Sequence, residues 1–139
     1  MTQEEKEPLL KYLCMALPYG VKILHTGWDS DSGTDFDTVE TLIGIDDKFI
    51  YTVWDKTGDR KKHCLSVSNW KPYLRPMSSM TEEERVERLD ILLKYEGHIE
   101  EDVTWNYQNW LLQHHLDYLF LIPKGLAIEV TENNNPYKE

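Results

Sequence analysis

The stretch Asn69–Glu84, with the sequence NWKPYLRPMSSMTEEE, marks the point where a strand-rich half of the chain gives way to a helical half. Pro72 and Pro76 each remove a backbone hydrogen-bond donor, and each disfavours helical conformation in the residue before it. Lys71 and Arg75 are therefore expected to be extended. This pattern is typical of an edge strand that carries solvated charges.

A helix is expected to begin a few residues later. Thr81 and Glu84 have the spacing of a capping box, in which each side chain accepts a hydrogen bond from a backbone amide of the first helical turn. The acidic residues 82–84 suit the positive end of the helix dipole. The helix start is therefore predicted between residues 80 and 82.

Before this stretch, the pattern predicts one helix and then several strands. Leu9, Leu13 and Leu17 recur at helical spacing over residues 7–17, and Pro18 with Gly20 should end that helix. Residues 28–37 are polar and predict a loop. Short turns at residues 46–47 and 56–59 favour an antiparallel meander. Four segments rich in β-branched or aromatic residues are the predicted strands: 21–26, 38–45, 49–54 and 62–67.

After this stretch, the chain has the spacing of two helices. Val86, Leu89, Leu92 and Leu93 are predicted to form the core face of the first, which should end near Gly97. The second helix is predicted over residues 104–115, with a core stripe of Trp105, Gln108, Leu111 and Leu112, and Asp117 is expected to cap the turn that follows. The remaining predictions are a short strand at 126–130 and a loose tail from residue 131.

These elements predict a single α+β domain over residues 1–130, followed by a flexible tail over 131–139. The architecture is an N-terminal helix, an antiparallel meander of about four strands that forms a curled sheet or small open barrel, two helices and a short C-terminal strand. The length of 139 residues suits one domain with its own core.

Composition restricts the function classes. The net charge of −10 argues against direct nucleic-acid binding, which relies on clustered Lys and Arg, and leaves a basic protein partner open. Residues 2–7 are acidic where a signal peptide would be basic, so we expect a cytoplasmic protein with no membrane association. Cys14 and Cys64 have no metal-ligand spacing and are expected to be buried reduced thiols, with a disulfide between them left open.

Two phrases carry a resemblance to a known group of proteins. The segment KPYLRPMSSMTEEE at residues 71–84, together with HHLDY at 114–118 and LIPKGLA at 121–127, resembles phrases in small uncharacterised proteins of gut Bacteroides and of their prophages and mobile elements. The opening residues 9–20 are similar too. The resemblance implies a source and attaches no activity, cofactor or catalytic residue. Residues 28–64 lie outside it, where a family with a shared scaffold would vary its function.

An acidic segment is the first candidate site. Asp29, Asp31, Asp35, Asp37 and Glu40 could supply the alternating oxygen ligands of a calcium loop. The glycine stands one place early and the segment lies between strands, so the pattern fails as an EF-hand. The expectation is a flexible acidic hairpin loop without a metal.

Histidines are the second candidate. His114 and His115 are adjacent, and neighbouring side chains on a helix point about 100° apart, so both cannot face one site. One is expected to favour the helix C-terminus and the other to pack. His63 and Cys64 should likewise point to opposite faces of a strand. No motif predicts a catalytic residue or a cofactor.

Aromatic residues are the third candidate. Tyr107 and Trp110 lie off the core stripe of the second helix, and exposed Trp and Tyr are typical anchors of protein interfaces. Trp70 and Tyr73, beside Lys71 and Arg75, could also contact a phosphate or an acidic peptide. We expect a protein partner or a homodimer contact at these aromatic residues.

Three functions follow, in order of preference. The first is a non-catalytic protein-interaction module. The second is an acidic nucleic-acid mimic, which requires the five acidic residues to line one face. The third is a small enzyme, which would need His25, His63, His114 or His115 to meet carboxylates in a cleft. Convergence of two or more of these histidines within about 4 Å, close enough to share a ligand, would favour it.

Overall fold

The α+β class is confirmed by a computed structural model, which describes residues 3–66, 69–94 and 100–137. Its helices and strands in chain order are α1 (Gln3–Ala16), β1 (Lys22–Asp29), β2 (Thr34–Ile45), β3 (Phe49–Trp54), β4 (Arg60–Cys64), β5 (Trp70–Leu74), α2 (Glu82–Lys94), α3 (Glu100–Gln113) and β6 (Ile128–Glu129).

The strands form one open sheet in the order β4-β3-β2-β1-β5-β6. Strands β1 to β4 are the predicted antiparallel meander. β5 pairs antiparallel with the free side of β1, and the two-residue β6 then pairs parallel with β5. β5 is therefore an internal strand along part of its length and not the predicted edge.

The inner face of the sheet holds the main core. Side chains on a strand alternate between faces, so Ile23 on β1 shares its face with the residues paired across from it. The buried face of α1, which includes Leu9 and Leu13, packs there against Leu42, Ile50 and Leu74 of the sheet. Burying such side chains is worth about 1.5–3 kcal/mol each. This cluster holds α1 against the inner face of the sheet.

A β-bulge in β2 explains one irregularity of the core. The register with β3 shifts between Leu42 and Gly44, so an extra residue is inserted into β2. Leu42 and Ile45 both reach the core although they are three residues apart, and Ile43 is left 46% exposed. Strict alternation in the sequence would have placed Ile45 on the outer face.

The capping box at the start of α2 is confirmed. The backbone N–H of Glu84 donates to Thr81 Oγ1 at 3.2 Å, and the backbone N–H of Thr81 donates to Glu84 Oε1 at 2.9 Å. Arg75 makes a bidentate pair with the same carboxylate, at 2.6 and 2.8 Å. The cap thus ties the helix start to the end of β5.

The polar loop predicted over residues 28–37 is mostly strand. β1 and β2 continue to the pair Asp29 and Thr34, which leaves a turn of residues 30–33. Gly33 has φ of 70°, a conformation that suits glycine at such a turn. The prediction was wrong because acidic residues lower strand propensity, whereas continued pairing satisfies the backbone of both strands.

The predicted core face of α2 is also wrong. Val86, Leu89 and Leu93 are 52%, 55% and 62% exposed, while Leu92 is half-buried. The residues that α2 turns inward include Glu84 and Ile91. The predicted end near Gly97 lies outside the described residues, as does the side chain of Trp105.

The C-terminal cap of α3 has no glycine at the position where glycine is usual. His115 N–H donates to the Leu112 carbonyl and Leu116 N–H to the Leu111 carbonyl, which is the Schellman pattern. His115 accordingly adopts a positive φ of 57°. Asp117, as predicted, caps the following turn by accepting from the amides of Leu121 and Ile122, both at 2.8 Å.

The tail expected to be loose returns to the domain as far as Tyr137. Its hydroxyl donates to the Tyr73 carbonyl at 2.7 Å and accepts from the Lys22 amide at 3.0 Å. Its ring stacks on His115, with centroids 3.8 Å apart. These contacts bind the tail to β1, β5 and the end of α3.

Two further expectations concern disulfides and membranes. Cys14 is exposed and Cys64 half-buried, so the prediction of buried thiols was wrong, and both are free of any disulfide. No helix within the described ranges has the length and apolar character needed to cross a membrane.

Candidate metal centre

Strands β1, β2 and β4 bring His25, Glu40 and His63 together on the inner face of the sheet, with β3 lying between β2 and β4. Glu40 is paired across from Ile23, and His25 lies two residues further along β1 on the same face. His63 on β4 is paired across from the buried Ile50 of β3. The period of two that buries the core therefore also turns these three side chains inward.

The three side chains are close enough to share one ligand. His63 Nε2 lies 2.6 Å from Glu40 Oε1, and His25 Nδ1 lies 3.3 Å from Glu40 Oε2. The two imidazole rings have centroids 4.2 Å apart. One ligand atom from each residue lies within 4.8 Å of the other two. Two histidines therefore converge on one carboxylate, at a ring separation slightly larger than the distance of about 4 Å that the enzyme hypothesis specified.

Glu40 is fully buried, and hydrogen bonds hold it ionised. The hydroxyls of Thr38 and Thr52 each donate to the carboxylate at 2.5 Å. Burial by itself would raise the pKa of Glu40, but the hydrogen bonds from Thr38, Thr52 and His63 outweigh it and leave the pKa lowered. The cluster therefore contains a buried anion, the kind of group that is stable in an interior only with partners.

His25 is nearer to solvent than the other two members, with 14% of its side chain exposed. Burial, followed by the nearby imidazole of His63, lowers its pKa, so the neutral ring is favoured. A neutral imidazole is the form that binds metal ions. Phe36 stands edge-on to this ring at 5.6 Å, and the amide of Asn69 lies 3.2 Å from Nε2.

Asn69 can fix which ring nitrogen of His25 carries the proton. Amide oxygen and nitrogen are assigned from the hydrogen-bond network and are interchangeable by a flip. As placed, Asn69 Nδ2 donates to His25 Nε2, and Nδ1–H then faces the Glu40 carboxylate; with the amide flipped, Nε2–H donates to the amide oxygen and the Nδ1 lone pair is free to bind a metal ion. Metal-binding histidines usually have such a partner on the other nitrogen.

Lys61 borders the cluster on the exposed side. Its Nζ lies 4.0 Å from Glu40 Oε2 and 4.7 Å from the ring centroid of Trp54. The ammonium group partly neutralises the carboxylate in the absence of any other cation. A metal ion at this position would therefore have to compete with Lys61 for Glu40.

The donor set matches the ligand chemistry of zinc. Two imidazole nitrogens and one carboxylate are the protein ligands of several catalytic zinc sites, which keep a fourth position for water. Zinc bonds of about 2.0–2.2 Å place tetrahedral ligands about 3.3–3.6 Å apart. The distance between His25 Nδ1 and Glu40 Oε2 is 3.3 Å, and the His63 to Glu40 distance of 2.6 Å would have to lengthen.

Sequence reasoning named all three residues but assigned them to separate sites. Glu40 was grouped with the acidic loop, while His25 and His63 were candidates for the enzyme hypothesis. Glu40 is separated from His25 by 15 residues and from His63 by 23, so no local motif joins them. The sequence could have shown that all three side chains point to the inner face of predicted strands. That inference requires the pairing register of the strands, which the sequence does not give.

The acidic loop does not form as expected. Asp31, Asp35 and Asp37 are exposed, and the side chain of Asp29 lies outside the description. Asp35 and Asp37 pair with Trp28 and Thr26 on the outer face, opposite Glu40. The five acidic residues therefore do not line one face, as the hypothesis of a nucleic-acid mimic required.

The predicted aromatic anchors are mostly buried. Trp110 is 7% exposed and its indole N–H donates to Glu87, so its predicted exposure was wrong. Trp70 and Tyr73 are buried in β5, at 3% and 7% exposure. Tyr107 is half-buried and its hydroxyl accepts from Arg88. Trp110 is buried, although it lies off the predicted core stripe of α3, because α2 packs against that side of α3.

His114 and His115 point to different places, as predicted. His114 Nδ1 lies 2.9 Å from Glu84 Oε2, at the end of α3. His115 stacks on Tyr137, and its buried Nδ1 has no hydrogen-bond partner among the described residues. Burial, followed by the charge of Arg75, lowers its pKa to about 4. The pair does not form a site with the cluster on the sheet.

Comparisons with protein-family models, with curated proteins and with solved structures found no match to this chain.

Proposed function

We propose that this domain binds one divalent transition-metal ion, with Zn²⁺ as the best fit, through His25, Glu40 and His63. The observation that carries the proposal is the convergence of two imidazoles and a carboxylate within 4.8 Å on the inner face of the sheet. Nitrogen and oxygen donors in this ratio suit zinc better than calcium or magnesium, which prefer oxygen ligands.

The electrostatics support binding of a cation. Glu40 supplies a buried negative charge, and His25 is held neutral. The Asn69 amide provides a partner for the outer nitrogen of His25. A fourth ligand would be a water molecule, as in catalytic zinc sites with three protein ligands.

The alternative explanation of the same geometry is a closed polar network. Thr38, Thr52 and His63 already satisfy Glu40 by hydrogen bonds, and such a network can be stable without a metal. The metal-site explanation predicts that the chain binds metal and needs His25 and His63 to do so. The polar-network explanation predicts that these two histidines contribute nothing to metal affinity.

The test is Zn²⁺ binding by the full chain without a histidine tag, measured by equilibrium dialysis and by the shift in thermal unfolding midpoint. We expect one Zn²⁺ per chain and a higher midpoint with metal, because binding to the folded state alone stabilises it. His63→Gln and His25→Gln should each weaken binding by at least about 100-fold.

His114→Gln is the matched control, since it makes the same change at a histidine outside the cluster. It should keep the wild-type zinc affinity. Circular dichroism establishes that each variant is folded, and the more exposed His25 remains informative if His63→Gln does not fold. A wild-type chain that binds no Zn²⁺, or Gln variants that bind as tightly as wild type, would overturn the proposal in favour of the polar network.

Protein interaction is a second candidate function. One observation supports it: α2 exposes three large apolar side chains to solvent, Val86, Leu89 and Leu93. A contiguous exposed apolar patch often marks an interaction surface. The predicted anchors at Trp110, Trp70 and Tyr73 do not support it, since all three are buried.

A further inference from the structure

The outward face of α2 has the residue pattern of a two-stranded coiled coil. Val86, Leu89 and Leu93 follow each other at spacings of three and four, and each is more than half exposed. In heptad terms these are positions a, d and a. In parallel coiled coils a β-branched residue at a with leucine at d, as at Val86 and Leu89, favours two strands, while the second a position here is Leu93. We define these three residues as the α2 stripe.

The charges beside the α2 stripe distinguish a second copy from an unrelated partner. Arg85 precedes Val86 at position g, and Asp90 follows Leu89 at position e. In a parallel dimer, position g of one helix meets position e of the other five residues further on. Arg85 of one copy would therefore meet Asp90 of the next, and the two-fold axis would form this pair twice.

An antiparallel arrangement would lose this complementarity, because it brings the two g positions together and the two e positions together. Arg85 would then face Leu92, the other g position of α2, and the pair with Asp90 would be lost. The side chain of Arg85 is 58% exposed, and its ion pair with Glu82 within the helix is long, at 3.9 Å. Arg85 therefore remains accessible for a contact between copies.

Within the described residues, the domain packs on the side of α2 away from the α2 stripe. The residues that α2 turns inward, Glu84 and Ile91, lie on the side of the helix opposite the α2 stripe. Two domains would therefore lie on opposite sides of the helix pair. We propose that the chain forms a parallel dimer with a second copy through the α2 stripe, independently of metal binding.

The size of the stripe predicts a weak dimer. One helix per copy provides an interface at the low end of specific contacts, below about 1,200 Å² in total. We expect a dissociation constant between about 10 µM and 1 mM, measured by sedimentation velocity as the protein concentration is raised through that range. Leu89→Glu, an exposed substitution, should raise it at least about tenfold without loss of fold.

A charge swap tests the proposed pairing. Arg85→Glu alone and Asp90→Arg alone each create like-charge pairs and should be monomeric. Mixed together they restore two opposite-charge pairs and should form a heterodimer, and the double variant should dimerise as wild type does. Glu83→Arg is the control, because position e at residue 83 faces Ser78, which precedes the helix. It changes the net charge as Asp90→Arg does and should leave dimerisation unchanged.

A wild-type chain that stays monomeric to 1 mM would overturn the proposal. Dimerisation that Leu89→Glu does not weaken would also overturn it, as would single variants that the mixture fails to restore. Addition of a chelator should not change the dimer, so loss of zinc binding and loss of dimerisation are separate results.

Discussion

Replacing Glu84 by Gln isolates the charge of the carboxylate that joins three parts of the fold. Glu84 accepts from Arg75 at the end of β5, from the amide of Thr81, and lies 2.9 Å from His114 at the end of α3. Gln can still serve as the acceptor of the capping box. The substitution therefore removes the ion pairs and leaves the helix cap.

The magnitude follows from the pKa of this carboxyl group. The hydrogen bonds from Arg75 outweigh burial and lower the pKa of Glu84 from 4.5 to about 2. Each pKa unit corresponds to about 1.4 kcal/mol, so the ionised group stabilises the fold by about 3 kcal/mol at neutral pH. The side chain is only 11% exposed, so solvent screening removes little of this value.

The pH dependence has a definite sign. Because the pKa is lower in the folded state, the stabilisation is present above pH 4.5 and is lost as the pH falls toward 2. Urea unfolding followed by tryptophan fluorescence should show Glu84→Gln less stable than wild type by about 3 kcal/mol at pH 7 and by about 2 kcal/mol near pH 3.5.

Glu82→Gln is the control, since Glu82 shares the first turn of α2 and its side chain is 88% exposed. It should cost less than about 1 kcal/mol. The reasoning is refuted if Glu84→Gln costs as little as this control, or if its deficit is the same at pH 7 and pH 3.5.

Three further predictions concern the metal site and the C-terminal region. Lys61→Gln should tighten Zn²⁺ binding about 5- to 30-fold in dialysis, because it removes a cation 4.0 Å from Glu40; unchanged affinity would mean that Lys61 does not compete. Tyr137→Phe should lower the free energy of unfolding by about 1–3 kcal/mol, since the buried Lys22 amide loses its acceptor and the Tyr73 carbonyl its donor; a loose tail predicts no change in urea unfolding. Asp117→Ala should cost about 2–4 kcal/mol, whereas Asp117→Asn, which keeps one acceptor oxygen, should cost less; equal losses in thermal unfolding would contradict the cap.

The sequence correctly predicted features that depend on interactions between residues close together in the chain. The capping box of Thr81 and Glu84 and the turn cap of Asp117 are confirmed because each involves residues within five positions of each other. The strand Phe49–Trp54 was predicted with its observed bounds, since β-branched and aromatic residues are flanked there by turn residues. Fold class followed from these elements.

Errors arose where packing partners decide the outcome. The apolar spacing of α2 predicted a core stripe, but its neighbour α3 packs on the side that holds Glu84 and Ile91. Trp110 was expected to be exposed for the same reason. Helical periodicity identifies faces and does not state which face meets another element.

The amino-acid sequence by itself determined the α+β class, the meander, the cap at the start of α2 and the overall acidity, because propensity, turn chemistry and charge act over a few residues. Only the tertiary structure decided that Glu40 leaves the acidic segment to meet His25 and His63, and that the tail returns through Tyr137. The physical reason is strand register: pairing across the sheet joins residues 15 and 23 positions apart, and a shift of one residue would send each to the other face.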